Sequence, residues 1–433
     1  MPNSTPRSER VTRATVFAFA TTAAMALVGY ILMLPVLQIP SQGMATILLA
    51  IMAIGCIRAG QSSERPVRTS AIVGGLIALF TLLIIGSVFS DLEQGDETPS
   101  LAIMVAGWLV FGVVIGLVCG FLSRLLRSRF QPNALWTTRL ALVTCLASLA
   151  LLALGGVVTS AEAGLAVPDW PNTFGTNMFL YPLSKMTGGV FYEHAHRLFG
   201  ALVGLMTLSL TIALFINRHS LPTRLLGILV SLWVIGQGIL GGLRVDDNPL
   251  DTSLEGGSPI DALGIVHGVT GQMFVAMLSM LVAMTHTRWQ MPPISVTKAA
   301  TTRMVALVAL ITLLIQIALG ALLRHSDLSS HAIFTHVGFS LVAAVTTILI
   351  ALRFQDHARQ GGGRLYKKLG MSTMHTLVLQ MVLGGVALWA VMTSSEAVEA
   401  TTRDLVFSTA HQTLGAILLV LVTQCWLWSR RLT

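Results

Sequence analysis

The feature that most constrains this chain is a recurrence of apolar runs, each about as long as a bilayer is thick. A helix crossing the hydrocarbon core needs roughly 20 residues. Such runs occupy residues 14–37, 42–58, 69–90, 101–124, 138–159, 192–216, 222–243, 261–285, 303–324, 332–353, 368–391 and 404–428. Charged residues make up only 11% of the chain, against about 25% in soluble domains. Backbone groups in lipid must be satisfied inside the span, so the runs read as helices. They are too long, and alternate too weakly, for barrel strands. The sequence therefore predicts an all-α polytopic membrane protein with about twelve transmembrane helices.

The net charge of +8 reports topology and points to a lipid partner, with no nucleic acid expected. One set of connections is basic: Arg58, Arg65 and Arg68; Arg124, Arg127, Arg129 and Arg139; Arg218 and Arg224; Arg288, Lys298 and Arg303; Arg353 through Lys368; Arg430 and Arg431. The alternate set is acidic or neutral: Asp91 to Glu97, Glu162 to Glu193, Asp246 to Asp261, Asp327, and Glu396 to Asp404. Positive-inside then places both termini in the cytoplasm. Arg7, Arg10 and Arg13 precede the first run without a small-residue cleavage site, so that run is read as retained. Cys56, Cys119, Cys145 and Cys425 lie within or at the ends of runs, so no disulfide is expected in the outer loops.

Two parts follow. Residues 1–130 hold four runs and no histidine, a membrane extension with no assigned role. Residues 136–433 hold eight runs and all 11 histidines, and they repeat internally as two pseudo-symmetric four-helix bundles, 136–290 and 300–433. Every second run ends on a small-residue step: Leu154-Gly155-Gly156, the stretch Gln237 to Arg244 with Gly241-Gly242, the stretch Gln316 to Arg324 with Gly320-Ala321, and the stretch from Gln380 with Gly384-Gly385. Small residues let helices approach closely or leave room for a flat ligand.

The runs between carry four histidines at matching places: His196, His267, His336 and His411. The members of each pair stand 71 and 75 residues apart (196 to 267, 336 to 411). Each lies a few residues past its helix start, about 6–10 Å below the outer boundary at 1.5 Å per residue. Facing imidazoles at one depth suit axial ligation of heme iron in a helix bundle. The competing reading is a buried histidine satisfied by a hydroxyl or carbonyl; zinc is disfavoured because no cluster offers three or four ligands. Glu193 stands three residues before His196, on the same helix face, a place for a proton acceptor or for a charge that stabilises a cationic intermediate; the competing reading is a helix-start acid facing the positive end of the helix dipole. At the matching place in the second half stands Ile333, so the two sites are chemically unequal: one reactive, one for electron transfer. Arg197, Arg244, Arg324 and Arg403 lie near the outer boundary, where they either pair with heme propionates or snorkel. The long outer loop, 160–191, is rich in Gly, Pro, Trp and Tyr and reads as a lid without regular structure.

Residues 136–430 resemble the heme A synthase family of cytochrome oxidase assembly proteins. The motifs are Gly155-Gly156-Val157-Val158-Thr159, then Glu162-Ala163-Gly164-Leu165-Ala166-Val167-Pro168-Asp169-Trp170-Pro171, then Glu193-His194-Ala195-His196-Arg197, with His267, His336 and His411 in order. The resemblance implies oxidation of the C8 methyl of heme O to a formyl group, giving heme A. It implies that His196 and His267 hold the substrate heme O in 136–290, that His336 and His411 hold a heme b cofactor in 300–433, and that Glu193 is catalytic. It implies a bacterial plasma membrane protein with heme sites near the outer face, heme O from a heme O synthase, and a further electron donor or acceptor. Val167 and Thr173 stand where many bacterial members carry a cysteine pair. Residues 1–130 lie outside the family core and lack the Asp-rich motifs of the prenyltransferase that makes heme O. The alternatives are a non-catalytic di-heme b electron carrier and a heme-binding assembly factor.

Overall fold

The structure is a computed structural model that describes residues 7–34, 37, 39–93, 99–126, 135–245, 259–325, 329–394 and 401–433. The stretch with Arg127, Arg129 and Pro132, the boundary at 130, and most acidic residues of the connections (94–98, 246–258, Asp327, 395–400) lie outside the described residues. Twelve α-helices follow in order: α1 (Arg7–Leu32), α2 (Ser41–Gln61), α3 (Pro66–Glu93), α4 (Leu101–Leu125), α5 (Trp136–Ser160), α6 (Gly188–Ile216), α7 (Leu221–Gly242), α8 (Pro259–Thr285), α9 (Ala299–Arg324), α10 (Ser330–His357), α11 (Gly363–Ser394) and α12 (Thr402–Ser429). A two-residue hairpin, β1 (Asn172–Thr173) with β2 (Thr176–Asn177), is the one sheet among the described residues. The fold is all-α and polytopic.

Among the described residues eleven helical stretches are long and apolar enough to cross a membrane, and the longest, Ser330–Thr393, is α10 and α11 run together. A five-residue π turn, Ala358–Gly362, joins them. Gly361 at φ 113° and Gly363 at φ 64° adopt backbone that an L side chain strains to reach. The chain doubles back there: a Cβ on Gly370 of α11 would sit 2.6 Å from the Ala351 carbonyl of α10. The basic connection is therefore mostly helix, and two crossings hide in one stretch.

The helices group into two compact units: residues 1–151 with 169–231, and residues 152–168 with 232–433. The division runs through α5 and α7.

In the first unit α1–α4 pack together, and α1 and α3 also meet α6. Lipid supplies no hydrophobic drive for helix pairing, so close fit must do it. Gly74 of α3 faces Gly112 and Gly116 of α4: a Cβ on Gly74 would sit 2.1 Å from the Gly112 carbonyl oxygen. Trp108 locks the pair by donating Nε1–H to Ala78 O and Thr81 Oγ1, both at 3.0 Å. The first apolar run begins at 14, yet α1 begins at Arg7 and draws Arg13 in, 3% exposed. Its guanidinium donates to Ser62 O at 2.8 Å and Ser63 Oγ at 3.0 Å. Hydropathy marks Arg13 as loop; its long side chain reaches partners in the α2–α3 connection and is buried with them.

In the second unit α9–α12 close a ring: α9 on α10, α10 on α11, α11 on α12, and α12 back on α9, with α8 against α9 and α12. Ala306, Ala309, Leu313, Phe354, Tyr366, Leu418, Leu419 and Val422 fill it. Its arginine-rich end is tied by the C-terminal residues, whose backbone pairs with the α8–α9 connection: Ile294 N donates to Arg431 O and Thr433 N to Ile294 O, both at 2.9 Å.

Candidate functional site

In the first unit the predicted residues Glu193, His196 and Arg197 lie in the second and third turns of α6. Glu193 is 5% exposed. Its Oε1 accepts from Arg197 Nη2 at 2.5 Å, an i,i+4 pair of the geometry helices favour. Arg197 Nη1 donates to Asp169 O at 2.7 Å and Asn172 O at 3.3 Å. Arg197 thus ties the carboxylate on α6 to the connection that precedes it. His196 is half-buried on the same helix.

That connection is structured where the sequence led to no regular element. Phe174 at φ 49° and Gly175 at φ 75° form the turn between β1 and β2. The Asp169 carboxylate accepts from Phe174 N and Gly175 N, both at 2.7 Å. His194, fully buried, bonds Thr173 Oγ1 at 3.2 Å and packs on the Tyr181 ring, centroids 5.4 Å apart. Ser184 bonds Asp91 at the end of α3 through N–H and hydroxyl, at 2.8 and 2.6 Å. Thr173 is itself buried, so the contact with His194 is shielded from solvent.

The second unit holds His267, His336, His411, Arg244, Arg324 and Arg403. His336 of α10 and His411 of α12 come together, ring centroids 6.4 Å apart and planes at 82°. Each ring lies on a glycine of the preceding helix. A Cβ on Gly320 of α9 would sit 2.9 Å from His336 Cε1, and one on Gly384 of α11 2.8 Å from His411 Cε1. His267 of α8 lies the same way on Gly241 of α7, at 3.5 Å. Three of the four small-residue steps are therefore cradles for imidazoles; at the fourth, a Cβ on Gly156 would meet Thr409 and Gln412 of α12.

The arginines go to different partners. Arg324 Nη2 donates to Thr159 O at 2.9 Å. Arg244 packs its guanidinium on Gly164 and Gly264, each of whose Cβ positions lies 3.3 Å away. Arg403 stacks over Trp389 at 4.9 Å, beside the Thr401–Asp404 capping box that starts α12.

One set of residues was in the sequence but carried no assignment. Gln316 and Gln380 stand four residues before the cradle glycines, and their amide nitrogens lie 3.1 Å from His336 Nδ1 and 3.2 Å from His411 Nδ1. Gln237 stands at the same place on α7 but bonds Thr270 Oγ1 at 2.7 Å. The signal was the thrice-repeated Gln-x-x-x-Gly.

Two axial imidazoles on one iron need about 2 Å for each metal–nitrogen bond plus about 1 Å from nitrogen to ring centre, roughly 6 Å in all. The His336–His411 spacing meets that, and the two cradles fix both rings. Among the described residues no group of three or more His, Cys, Asp or Glu is placed to hold a bare metal ion; an iron that brings its own four equatorial nitrogens needs only the pair. These residues fit a heme.

No curated protein matches the chain. The family model for cytochrome oxidase assembly proteins matches residues 138–333, which include Glu193, His196 and His267 and stop three residues short of His336. Over residues 138–333, from α5 to the start of α10, this multi-pass membrane chain is similar to the family of cytochrome oxidase assembly proteins.

Proposed function

We propose that the chain is a heme A synthase, a membrane oxidoreductase that converts the C8 methyl of heme O to a formyl group. The observation that carries this reading is the inequality of the histidines. Glu193 is buried one turn before His196, while no acid lies within a turn before His267, His336 or His411. A pair of sites that only passed electrons would have no use for one carboxylate.

His196 and His267 hold the substrate, heme O. Going from methyl to formyl exchanges two hydrogens for one oxygen, releasing four protons and four electrons when water supplies the oxygen. Glu193 accepts protons at its carboxylate, and Arg197 keeps that carboxylate in one rotamer by the 2.5 Å pair. His336 and His411 hold heme b, which supplies one-electron transfer. Arg244, Arg324 and Arg403 contact propionates; Arg197 does so only through donors not already given to Glu193, Asp169 and Asn172. The outer loop, pinned by Asp169 and His194, covers the α6 side. The substrate comes from a heme O synthase; an electron acceptor takes the four electrons when water is the oxygen source, and an electron donor is needed instead when two dioxygen molecules are each split to one oxygen atom and water. The protein sits in a bacterial plasma membrane with both termini cytoplasmic and the heme sites toward the outer face.

The test is extraction of hemes from membranes that make heme O. Wild type should yield heme A; Glu193→Ala should yield none while heme b stays bound. Heme A at wild-type levels from Glu193→Ala would remove the carboxylate from the chemistry, and no formyl product from wild type would leave a di-heme carrier or assembly factor.

A further inference from the structure

We infer that Gln316 and Gln380 are positioning residues that make the His336–His411 pair a retained heme site, and that the different use of this position beside His196 and His267 distinguishes the pair that turns over. The inference rests on the heme reading above and deepens it.

The four repeats place one side chain at the same spot. On α9, Gln316 lies with its amide nitrogen 3.1 and 3.4 Å from the two ring nitrogens of His336 and 3.0 Å from His336 O. On α11, Gln380 lies 3.2 and 3.4 Å from those of His411, and packs over Gly415, one turn past that histidine. On α7, Gln237 packs over Gly271, one turn past His267, but spends its amide on Thr270. On α5 the spot belongs to Leu151, whose Cδ1 would lie 3.9 Å from a Cβ on Gly200, one turn past His196. Both histidines of one pair are thus clamped by an amide. In the other pair one amide is turned away and one is replaced by a hydrocarbon.

A ligating histidine uses one ring nitrogen for iron and donates its other N–H to an acceptor, which fixes the ring and raises its basicity. Gln316 Oε1 and Gln380 Oε1 are buried without a hydrogen-bond partner among the described residues. Turning each terminal amide about its last torsion exchanges oxygen and nitrogen at the same spot, which puts the unpaired oxygen on the ring N–H. The backbone carbonyl of the same glutamine also reaches the ring, so the side chain must be tested apart from the backbone.

The experiment is Gln316→Met with Gln380→Met, which keeps length and removes the amide. Loss of such an outer partner costs about 10- to 100-fold in metal affinity. The double variant should release heme b that much more readily to apomyoglobin. Its ferric low-spin electron paramagnetic resonance signal should broaden or shift, and its heme b midpoint potential should rise as the less basic imidazoles stabilise the ferric state less. Thr312→Val, which removes a 2.8 Å bond to Thr346 on the same two helices, serves as the folding control and should change none of the three. Unchanged release, signal and potential in the double variant would overturn the inference, as would equal changes in Thr312→Val. His336→Ala separates the layers: if it leaves a low-spin heme b intact, the heme assignment itself fails.

Discussion

Gly384→Ala should empty the His336–His411 site while sparing the fold. Gly384 lies within α11 with ordinary helical backbone, so alanine there gains about 0.5–1 kcal/mol of helix preference. Against that stands overpacking, which costs roughly 1–3 kcal/mol in a filled interior. The three atoms nearest the new Cβ all belong to the His411 ring, with Cε1 at 2.8 Å and Nδ1 at 3.3 Å. Ordinary contact begins at 3.4 Å, so the ring must retreat by about 0.6 Å. Being the end of a rotatable side chain, it can do so at small cost to stability. Ligation is less forgiving: metal–nitrogen distances hold within about 0.2 Å, a third of the displacement imposed. Heme b content by pyridine hemochrome and low-spin absorbance should therefore fall to a small fraction of wild type, while the melting temperature in detergent moves little. Gly385→Ala, one residue on and with nothing within 4 Å of its Cβ, should change neither. A Gly384→Ala protein with full low-spin heme b, or a Gly385→Ala protein that loses as much, would refute the cradle.

Three further outcomes follow from the geometry. Asp169→Ala removes both 2.7 Å bonds that hold the β1–β2 turn; local stability should drop by about 1–3 kcal/mol, read as faster limited proteolysis between 169 and 187, and an unchanged cleavage rate would show the turn is held otherwise. Gly74→Ala puts a Cβ 2.1 Å from a backbone oxygen that cannot turn aside, so α3 and α4 must part, at a cost of roughly 1–3 kcal/mol or more; Gly107→Ala on α4, with open space around it, is the neutral comparison, and equal melting temperatures would contradict the packing. Thr302→Val takes away the 2.7 Å partner of the buried His357 Nε2, costing about 1–3 kcal/mol, and Thr302→Ser should restore most of it.

Most of the fold was legible because lipid leaves a chain few options. A run that must satisfy its own backbone over about 30 Å can only be a helix, so the spans could be read from hydropathy. Their ends could not. Arg13 sits inside α1 because Ser62 and Ser63 meet it, and no window average sees a partner 50 residues away. The α10–α11 connection looked like a basic loop because hydropathy falls at 353–368, yet its backbone stays helical up to Gly361. The hairpin at 172–177 escaped because two-residue strands have no period to detect; the positive φ at Gly175 and the carboxylate of Asp169 make it, and only the glycine was a visible cue.

The candidate residues were legible in the sequence, and the groups that support them were not. Histidine and glutamate declare themselves in an apolar run, since polar groups there are costly. Glutamine does not: whether its amide meets a ring or a threonine depends on which way one helix is turned against the next, and Gln316 and Gln237 share a local sequence pattern while bonding different groups. The arrangement adds an argument that neither residue type makes alone. Of four repeats built on one plan, two departures from it fall in the same α5–α6 repeat: Leu151 in place of the amide, and Glu193 beside the histidine. A site that holds its heme permanently gains from a clamp and has no need of a base. A site that must take up one heme, change it and let it go has the opposite requirements. A duplicated electron carrier would keep both repeats alike; under the proposed function, the coincidence of the two departures in one repeat is what separates a turnover site from a resident one.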